Sequence, residues 1–371
     1  MEKHATFMKR ALALARQAEG WTSPNPAVGA VVVQAGQIVG EGYHRRAGAP
    51  HAEVEALQAA GEAARGATLY VTLEPCNHHG RTPPCTEVIV SAGIGRVFYA
   101  IGDPNPHVAG RGHERLAAAG LTVQGGLCAD EARHLNRFFF HYITTDRPYV
   151  VAKFAASLDG KTATRTGHSQ WITGPAAREK GHTLRNIVDA ILIGAGTAIA
   201  DDPQLTTRLP QAEVRHPLRI VLDSRGRVPL DARLFRTDLP GQTVVATTAA
   251  MPPAHQAALK QREVETLTLP ATPTSRVDLV ALLEALGQRQ ITSLLVEGGG
   301  QTLGAFFDVG LVNEIWAFLA PLIIGGETAP GPVAGCGPAT LAEAFRLQQA
   351  IVETVGQDFL IRGTIVSGFK T

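Results

Sequence analysis

Cysteine is scarce in this chain. Four residues among 371, Cys76, Cys85, Cys128 and Cys336, are too few and too scattered for a disulfide framework. The expected setting is therefore reducing and cytoplasmic. Charge of one sign is missing too: 34 Lys and Arg oppose 33 Asp and Glu, a formal net charge of +1. No basic stripe is left over for nucleic acid or an anionic membrane. Long apolar runs are also absent. The longest, Ile315 to Ile324, is short for a membrane span and is interrupted by Pro321, so it reads as a buried strand. The stretch His4 to Glu19 carries Lys9, Arg10 and Arg16, which suits an amphipathic helix and not an export signal. Finally, the dinucleotide fingerprint fails: Gly194, Ala195 and Gly196 follow a strand, but the third glycine position holds Ile199. With these classes set aside, the expected partner is a small polar metabolite, with no nucleic acid and no membrane.

The chain is long enough for two cores, and its elements alternate in the manner of an α/β protein. Ala27 to Val33 and Gln37 to Gly42 flank an Ala35-Gly36 turn as a hairpin, followed by a helix over His51 to Ala60 and a strand over Thr68 to Leu73. Helix Thr86 to Ala92, strand Arg96 to Ile101, helix Gly112 to Ala119, strand Leu121 to Gln124 and helix Ala129 to Phe139 complete a first domain. The polar break Thr144 to Pro148 sets the expected boundary, giving domains 1–145 and 146–371. Beyond it, strands are predicted over Tyr149 to Phe154, Ala190 to Ile193, Leu218 to Leu222, Thr243 to Thr247, Ser293 to Val296 and Glu314 to Ile324. Helices are predicted near Ala176 to Arg185, Leu279 to Leu286 and Thr302 to Val309, with Met251 to Arg276 partly loop. An oligomer is expected from the apolar C-terminal strand.

The chemistry concentrates in residues 51 to 85. His51, Cys76 and Cys85 supply one imidazole and two thiolates, the three ligands that a hydrolytic zinc site needs while keeping one position open for water. Glu53, two residues past the histidine at a helix start, is placed to reach that water without ligating the metal, as a proton shuttle must. Eight residues, Asn77 to Pro84, separate the cysteines, where the usual deaminase pattern has two.

HAEVEAL, then LEPCNHHGRTPPC, with PNPAVGA upstream and DPNPHVAGRG downstream, resembles the deaminase half of the bifunctional bacterial riboflavin-biosynthesis deaminase/reductase, a family that carries the long inter-cysteine loop. The resemblance departs at Glu55, where the family commonly has a second histidine. It implies a cytidine-deaminase-like three-layer domain whose substrate is a diaminopyrimidinone bearing a ribosylamino 5'-phosphate. Deamination would be hydrolytic, with Glu53 relaying protons to the ring and to the leaving amine. By matching position it implies substrate contacts at Asn25, His44, Arg81, Asp103 and Asn105. Ordinary turn chemistry would explain Asp103 and Asn105 as well.

In the second half, Val296 and Glu297 lead into Gly298, Gly299 and Gly300 before a helix, where backbone amides could cradle a phosphate, although a tight strand-to-helix turn explains the same run. Asp223, Ser224 and Arg225 end a strand where a 2'-phosphate could be met, although ordinary turn chemistry explains the same residues. KFAASLDGKTA, SQWITG, ILIGAGTAIADDPQLTTR, VLDSRGR, VEGGG and LVNEIWAFLAPLIIGG are similar, in this order, to the reductase half of the same family. That likeness implies a dihydrofolate-reductase-like domain, which binds NADPH without the dinucleotide fingerprint. It implies NADPH contacts at Ala155, Trp171, Thr197, Asp201, Ser224 and the run Gly299, Gly300, Gln301, Thr302, Leu303, Gly304, Ala305. Ser169, Arg185, Leu205, Arg208 and Glu297 would meet substrate, and Lys153 and Asp201 could polarise or protonate the imine that is reduced. Two other readings compete: a nucleoside or tRNA deaminase fused to an unrelated reductase, and an enzyme in which one half is only a scaffold.

Overall fold

The computed structural model describes residues 2–78, 83–105, 110–211 and 213–366, in two compact units, Met1–Asp146 and Arg147–Thr371.

In the first unit, five strands run in the order β2-β1-β3-β4-β5: β1 (Gly29–Gln34), β2 (Gln37–Tyr43), β3 (Thr68–Leu73), β4 (Arg96–Ile101) and β5 (Thr122–Gly125). The β1–β2 hairpin and the β1–β3 pair are antiparallel, while β3–β4 and β4–β5 are parallel. Ala35 and Gly36 both have positive φ, 51° and 81°, the left-handed geometry that a two-residue hairpin turn requires. Alternate residues of β1 and β3 feed opposite faces. Val31, Val33 and Tyr70 pack with α1 (Glu2–Arg16) and α5 (Ala129–Leu135), whereas Ala30, Val32, Leu69 and Val71 pack with α2 (Ala52–Ala60), α3 (Cys85–Ser91) and α4 (Arg111–Ala118). The result is the expected three-layer sandwich. Close seating of α2 depends on glycine: a Cβ on Gly42 would lie 2.5 Å from Ala56 N and one on Gly40 2.2 Å from Ala56 O. Since α2 starts directly after His51, these glycines set the depth of the metal-binding residues.

Several boundaries differ from the sequence expectation. The segment Ala129 to Phe139 is two helices, α5 and α6 (Arg137–Thr145). The break falls at Asn136, whose buried side-chain amide accepts from Ala27 N (2.8 Å) and donates to Ala27 O (2.9 Å), a tie that a continuous helix would not direct there.

The second unit is built on nine strands in the order β10-β9-β8-β7-β11-β6-β12-β14-β13. These are β6 (Tyr149–Ser157), β7 (Ala190–Gly194), β8 (Leu218–Leu222), β9 (Thr243–Thr247), β10 (Glu265–Thr268), β11 (Ser293–Val296), β12 (Glu314–Ala320), β13 (Arg346–Val355) and β14 (Asp358–Val366). All from β10 through β12 are parallel, and β14 and β13 add antiparallel. Helices α7 (Pro175–Ile187), α8 (Ala195–Asp201), α9 (Pro253–Gln261), α10 (Leu279–Gln288) and α11 (Gly300–Asp308) connect them. Leu282, Leu283 and Leu286 of α10 and Leu303, Phe306 and Phe307 of α11 fill the core of one face. The strand expected to reach Ile324 stops at Ala320, before Pro321, which cannot continue the ladder. Helix α9 and β10 occupy the stretch expected to be partly loop, α8 forms where the sequence suggests only a turn, and the β13–β14 hairpin is an addition to the expected elements. That hairpin anchors α7 from outside: Asp358 Oδ2 accepts from Gly174 N (2.7 Å) at the helix start, and Lys180 pairs with Glu353 at 2.7 Å.

Candidate active sites

In the first unit, the carboxyl ends of parallel β3 and β4 meet the start of α2. His51 is the N-cap of α2, in extended conformation, so its side chain leaves the helix at the sheet edge while Glu53 turns inward, 4 % exposed. Strand β3 delivers Cys76, and Cys85 opens α3. The Nδ1 of His51 lies 3.1 Å from Cys85 Sγ and 3.7 Å from Cys76 Sγ, and all three ligand atoms fall within 4.8 Å of one another. Thr86 Oγ1 donating to Asn77 Oδ1 (2.8 Å) and Thr86 N donating to Cys76 O (3.2 Å) close the long loop at its base. The eight-residue gap therefore does not separate the sulfurs. The Cys85 thiol hydrogen-bonds to Cys76, which holds Cys76 down at about 4 and drives Cys85 upward. A nitrogen and two sulfurs converging on one point match zinc chemistry and would not suit an oxygen-seeking cation. Burial, and then the Cys76 sulfur, push the Glu53 carboxyl above its ordinary range, which favours its carrying a proton.

Around this centre, buried His44 meets the His51 ring edge-on with centroids 5.5 Å apart. Its Nδ1 lies 3.0 Å from Pro50 O, and Asn25 Nδ2 is 3.4 Å from its Nε2. Burial lowers the His44 pKa, so the neutral tautomer donates to Pro50 O and accepts from Asn25. Asp103 accepts from Asn105 N at 2.9 Å, and burial pushes its carboxyl up, with Cys76 among its charged neighbours. The structure brings Asn25, His44 and His51 together, and Asp103 and Asn105 follow β4 on the same sheet edge. Arg81 lies outside the described residues. Glu74 gains a role that sequence alone does not assign; its buried carboxylate accepts from Gly110 N (3.2 Å) and His113 N (3.0 Å), capping α4. A carboxylate at a strand end, ahead of a downstream helix, is the only signal of it in the sequence.

In the second unit, Glu297 follows β11 and takes a bidentate pair from Arg185 of α7, Nε to Oε1 and Nη2 to Oε2, both 2.8 Å. Lys153 of β6 lies 3.7 Å from Glu297 Oε2. Burial raises the Glu297 carboxyl, but Arg185 and Lys153 outweigh it and hold the group at about 2. Arg185 Nη1 also donates to Thr206 O (3.2 Å), and Arg208 Nη1 donates to Thr206 Oγ1 (3.1 Å). Three cations thus face one carboxylate, an excess of two positive charges. Sequence reasoning finds Arg185, Arg208 and Glu297; it misses Thr206 and His182, whose Nδ1 accepts from Arg208 N (3.2 Å). His182 is three residues before Arg185 on α7, the spacing that puts both on one helix face.

The glycine run ends β11. Gly299 caps α11, and its N–H donates to Thr197 Oγ1 of α8 at 2.9 Å, which joins two residues predicted for the cofactor. With the Gly299 amide engaged by Thr197, the amides of Gly300 and Gln301 open the nine-residue helix α11 at its positive dipole end. Within the rest of that run, roles divide. Leu303 is 1 % exposed in the core, so its side chain is withdrawn from any ligand. A Cβ on Gly304 would lie 2.0 Å from Ala334 O, and one on Gly300 would lie 2.8 Å from Gly331 O. Those glycines admit the segment Gly331 to Gly337, which Asp308 holds by accepting from Cys336 N at 3.0 Å. Gln301 is exposed, Thr302 carries its hydroxyl against Gly194, and Ala305 is half-buried.

The remaining residues are more dispersed. Ala155 pairs with Phe318 across β6 and β12, and Ser169 and Trp171 lie on the loop before α7, the indole two-thirds exposed beneath the Arg178 guanidinium at 4.5 Å. Asp201 ends α8 with its carboxyl pushed up by partial burial. Leu205 is buried at φ 54°, and Ser224 Oγ accepts from Val277 N (3.1 Å), an acceptor already used by the fold.

These two units define a class: a deaminase-type His/Cys/Cys centre carried on the same chain as a parallel-sheet α/β unit with a cation-rich anion site. Comparison with known proteins narrows it. A family described as the cytidine and deoxycytidylate deaminase zinc-binding region matches residues 1–101, and one described as the RibD C-terminal domain matches residues 148–361. The riboflavin biosynthesis protein RibD of Actinobacillus pleuropneumoniae is 44% identical over 362 residues, covering 97% of this chain and 95% of its own length. The structure of Acinetobacter baumannii RibD superposes with a TM-score of 0.87 at 39% identity, covering 99% of each chain. A Thermotoga maritima structure titled a diaminohydroxyphosphoribosylaminopyrimidine deaminase/5-amino-6-(5-phosphoribosylamino)uracil reductase gives 0.86 at 38% identity, covering 98% of this chain and 99% of its own. The chain belongs to the RibD family of riboflavin biosynthesis, bifunctional enzymes that use zinc and NADPH.

Proposed function

We propose that a first domain, residues 1–145, deaminates a diaminopyrimidinone bearing a ribosylamino 5'-phosphate, and that a second domain, residues 146–371, reduces the ribosyl group of the product to ribityl. The observation that carries this reading is the pairing of a His/Cys/Cys/Glu site in one unit with an anion site of two excess positive charges in the other. A phosphate monoester carries about two negative charges at neutral pH. A substrate that keeps its phosphate through both steps accounts for that excess.

In the first site His51, Cys76 and Cys85 would hold zinc, which supplies Lewis acidity and lowers the pKa of water to about 7. Glu53, buried beside Cys85, would take one proton from the attacking water and deliver it to the ring nitrogen, then take the water's second proton from the added hydroxyl as the oxo group forms and pass it to the departing amine. Water enters, ammonia leaves, and the ring carbon exchanges an amine for an oxo group. Asn25 and neutral His44 orient the substrate beside His51, with Asp103 and Asn105 across the sheet edge and Arg81 completing the contacts.

In the second site NADPH, when bound, would supply the hydride that reduces C1' of the ring-opened ribosylimine. Thr197 and the amides of Gly300 and Gln301 would hold the cofactor phosphates, with Gly299 fixing Thr197 and with Ala155, Trp171, Asp201, Ser224 and the backbone of Thr302, Leu303, Gly304 and Ala305 around the cofactor. Arg185 and Arg208 bind the substrate phosphate with Ser169 and Leu205, and Glu297 fixes Arg185. Lys153, beside Glu297, or Asp201, whose raised pKa suits a donor, gives the imine nitrogen its proton. We further propose a cytoplasmic homo-oligomer that acts on this small phosphorylated pyrimidine and engages neither nucleic acid nor membrane. The charge balance supports this, as do Ile351, Val352 and Phe359, exposed on the C-terminal hairpin.

The test is to incubate the zinc-loaded protein with the diaminopyrimidinone ribosyl phosphate, with and without NADPH, following ammonia and NADPH absorbance together. Ammonia without NADPH, then NADPH consumption, is the expected order. Ammonia from cytidine or tRNA, with none from the pyrimidinone phosphate, overturns the reading.

A further inference from the structure

Thr206, Thr207 and Arg208 form a short segment after α8 in which each residue is tied by a side chain from elsewhere. Thr206 O accepts from Arg185 Nη1, Thr207 N donates to His216 Nδ1 (3.3 Å), and Arg208 N donates to His182 Nδ1 (3.2 Å). Both backbone N–H groups are thus received by imidazole nitrogens. An imidazole nitrogen that accepts is unprotonated, so the proton of His182 sits on Nε2 and the ring is neutral.

The choice of acceptor has a physical reason. The groups facing His182 are Arg185 on its own helix, Lys153 from β6, Arg208 from the loop and Glu297 after β11. A carboxylate in the place of His182 would pair with the guanidiniums and remove one of the two excess charges of the site. Imidazole accepts the same hydrogen bond and leaves that charge free. Burial first, then the Arg185 and Arg208 charges, hold the His182 ring down at about 4, so it stays uncharged across the neutral range.

We propose that His182 is a positioning residue of the reductase site: as a neutral acceptor it fixes the backbone at Arg208, so that this guanidinium and that of Arg185 converge on one phosphate dianion. This rests on the reading of the cluster as the substrate's phosphate site, and it adds a residue that touches Arg208 rather than the substrate.

The experiment compares His182→Ala, His182→Gln and Arg208→Ala in the full-length zinc-loaded protein, with NADPH affinity by fluorescence as the measure of a folded second unit. His182→Ala is expected to raise the KM of reduction for the phosphorylated substrate roughly tenfold, with kcat at saturation within about twofold, as the loss of one preorganised contact predicts. His182→Gln, whose amide oxygen also accepts, is expected to recover most of that loss. The ratio of KM between His182→Gln and wild type is expected to stay constant from about pH 5.5 to 8, because neither side chain changes charge there. A ratio that climbs as pH falls through the ordinary histidine range would mean that His182 binds the phosphate as a cation, and would overturn the proposal. So would an unchanged KM in His182→Ala while Arg208→Ala raises it. If Arg208→Ala also leaves KM unchanged, the phosphate reading of the cluster falls, and this inference with it.

Discussion

The two catalytic units solve opposite electrostatic problems. The first gathers groups that repel one another when ionised, two thiols and a buried carboxyl, with both sulfurs and the His51 ring nitrogen within 4.8 Å of one another. The second gathers cations, Lys153, Arg185 and Arg208, around a single carboxylate. One site is incomplete without a cation and the other without an anion. The comparison teaches that ligand demand is visible in which residues stay under-compensated after folding.

The sharpest way to break this contrast is at the metal ligands. Cys85→Ser should reduce zinc content to background and ammonia release by on the order of a thousandfold or more, while NADPH binding persists; metal analysis beside an ammonia assay checks it. Next, Glu53→Gln should slow deamination by about 10² to 10⁴-fold, the usual worth of a positioned acid–base group, with zinc still bound. Retained deamination with full zinc would remove the proton relay.

In the second unit, Arg185→Ala leaves the largely enclosed Glu297, among the described residues, with the longer contact to Lys153 at 3.7 Å. Stranding that charge should cost roughly 3–5 kcal/mol of unfolding free energy and raise the KM of reduction; denaturant titration of the second unit, set against ammonia release, reads both. Smaller still, Gly304→Ala places a Cβ against Ala334 O and should cost about 1–3 kcal/mol by overpacking while weakening NADPH binding, measurable by fluorescence.

The mildest effect is on pH. His182 is held at about 4 against an ordinary 6.5, so below 6.5 the unfolded chain takes a proton that the native chain refuses. Stability therefore falls as pH drops from about 6.5 to about 4. Glu297, at about 2 against 4.5, contributes fully above 4.5 and loses its contribution only as pH falls toward 2. Acid titration of wild type and His182→Gln should differ in the upper window, which is reduced in the variant to the part that His44 and His216, also lowered by burial, still contribute.

How much was legible differs between the units for a related reason. His51, Glu53, Cys76 and Cys85 fall within 35 residues, and zinc demands particular side chains, so type and spacing announce the site. Phosphate sites accept backbone amides, guanidiniums or lysines, so the motif VEGGG read alone is as compatible with a turn as with a cradle. The hydrogen bond of Gly299 to Thr197 joins residues 102 positions apart, and that of Arg185 to Glu297 joins residues 112 apart. No local pattern encodes such partners. Asn136 gives no local sign of a helix break because its amide is satisfied by Ala27, 109 residues away.

By itself, then, the sequence determined the α/β class, the His51, Cys76 and Cys85 set that the fold brings together, and, through ordered motifs in both halves, the family. Periodicity and ligand chemistry are local properties of a chain. Tertiary structure decided that an eight-residue cysteine gap still closes around one metal point and that Glu74 caps α4. It also decided that Leu303 and Gly304 serve packing, and that a neutral histidine sits among three cations. Each of these depends on which distant groups meet in a low-dielectric interior, where leaving a charge or hydrogen bond unmatched costs several kcal/mol, and that matching exists only after the chain has folded.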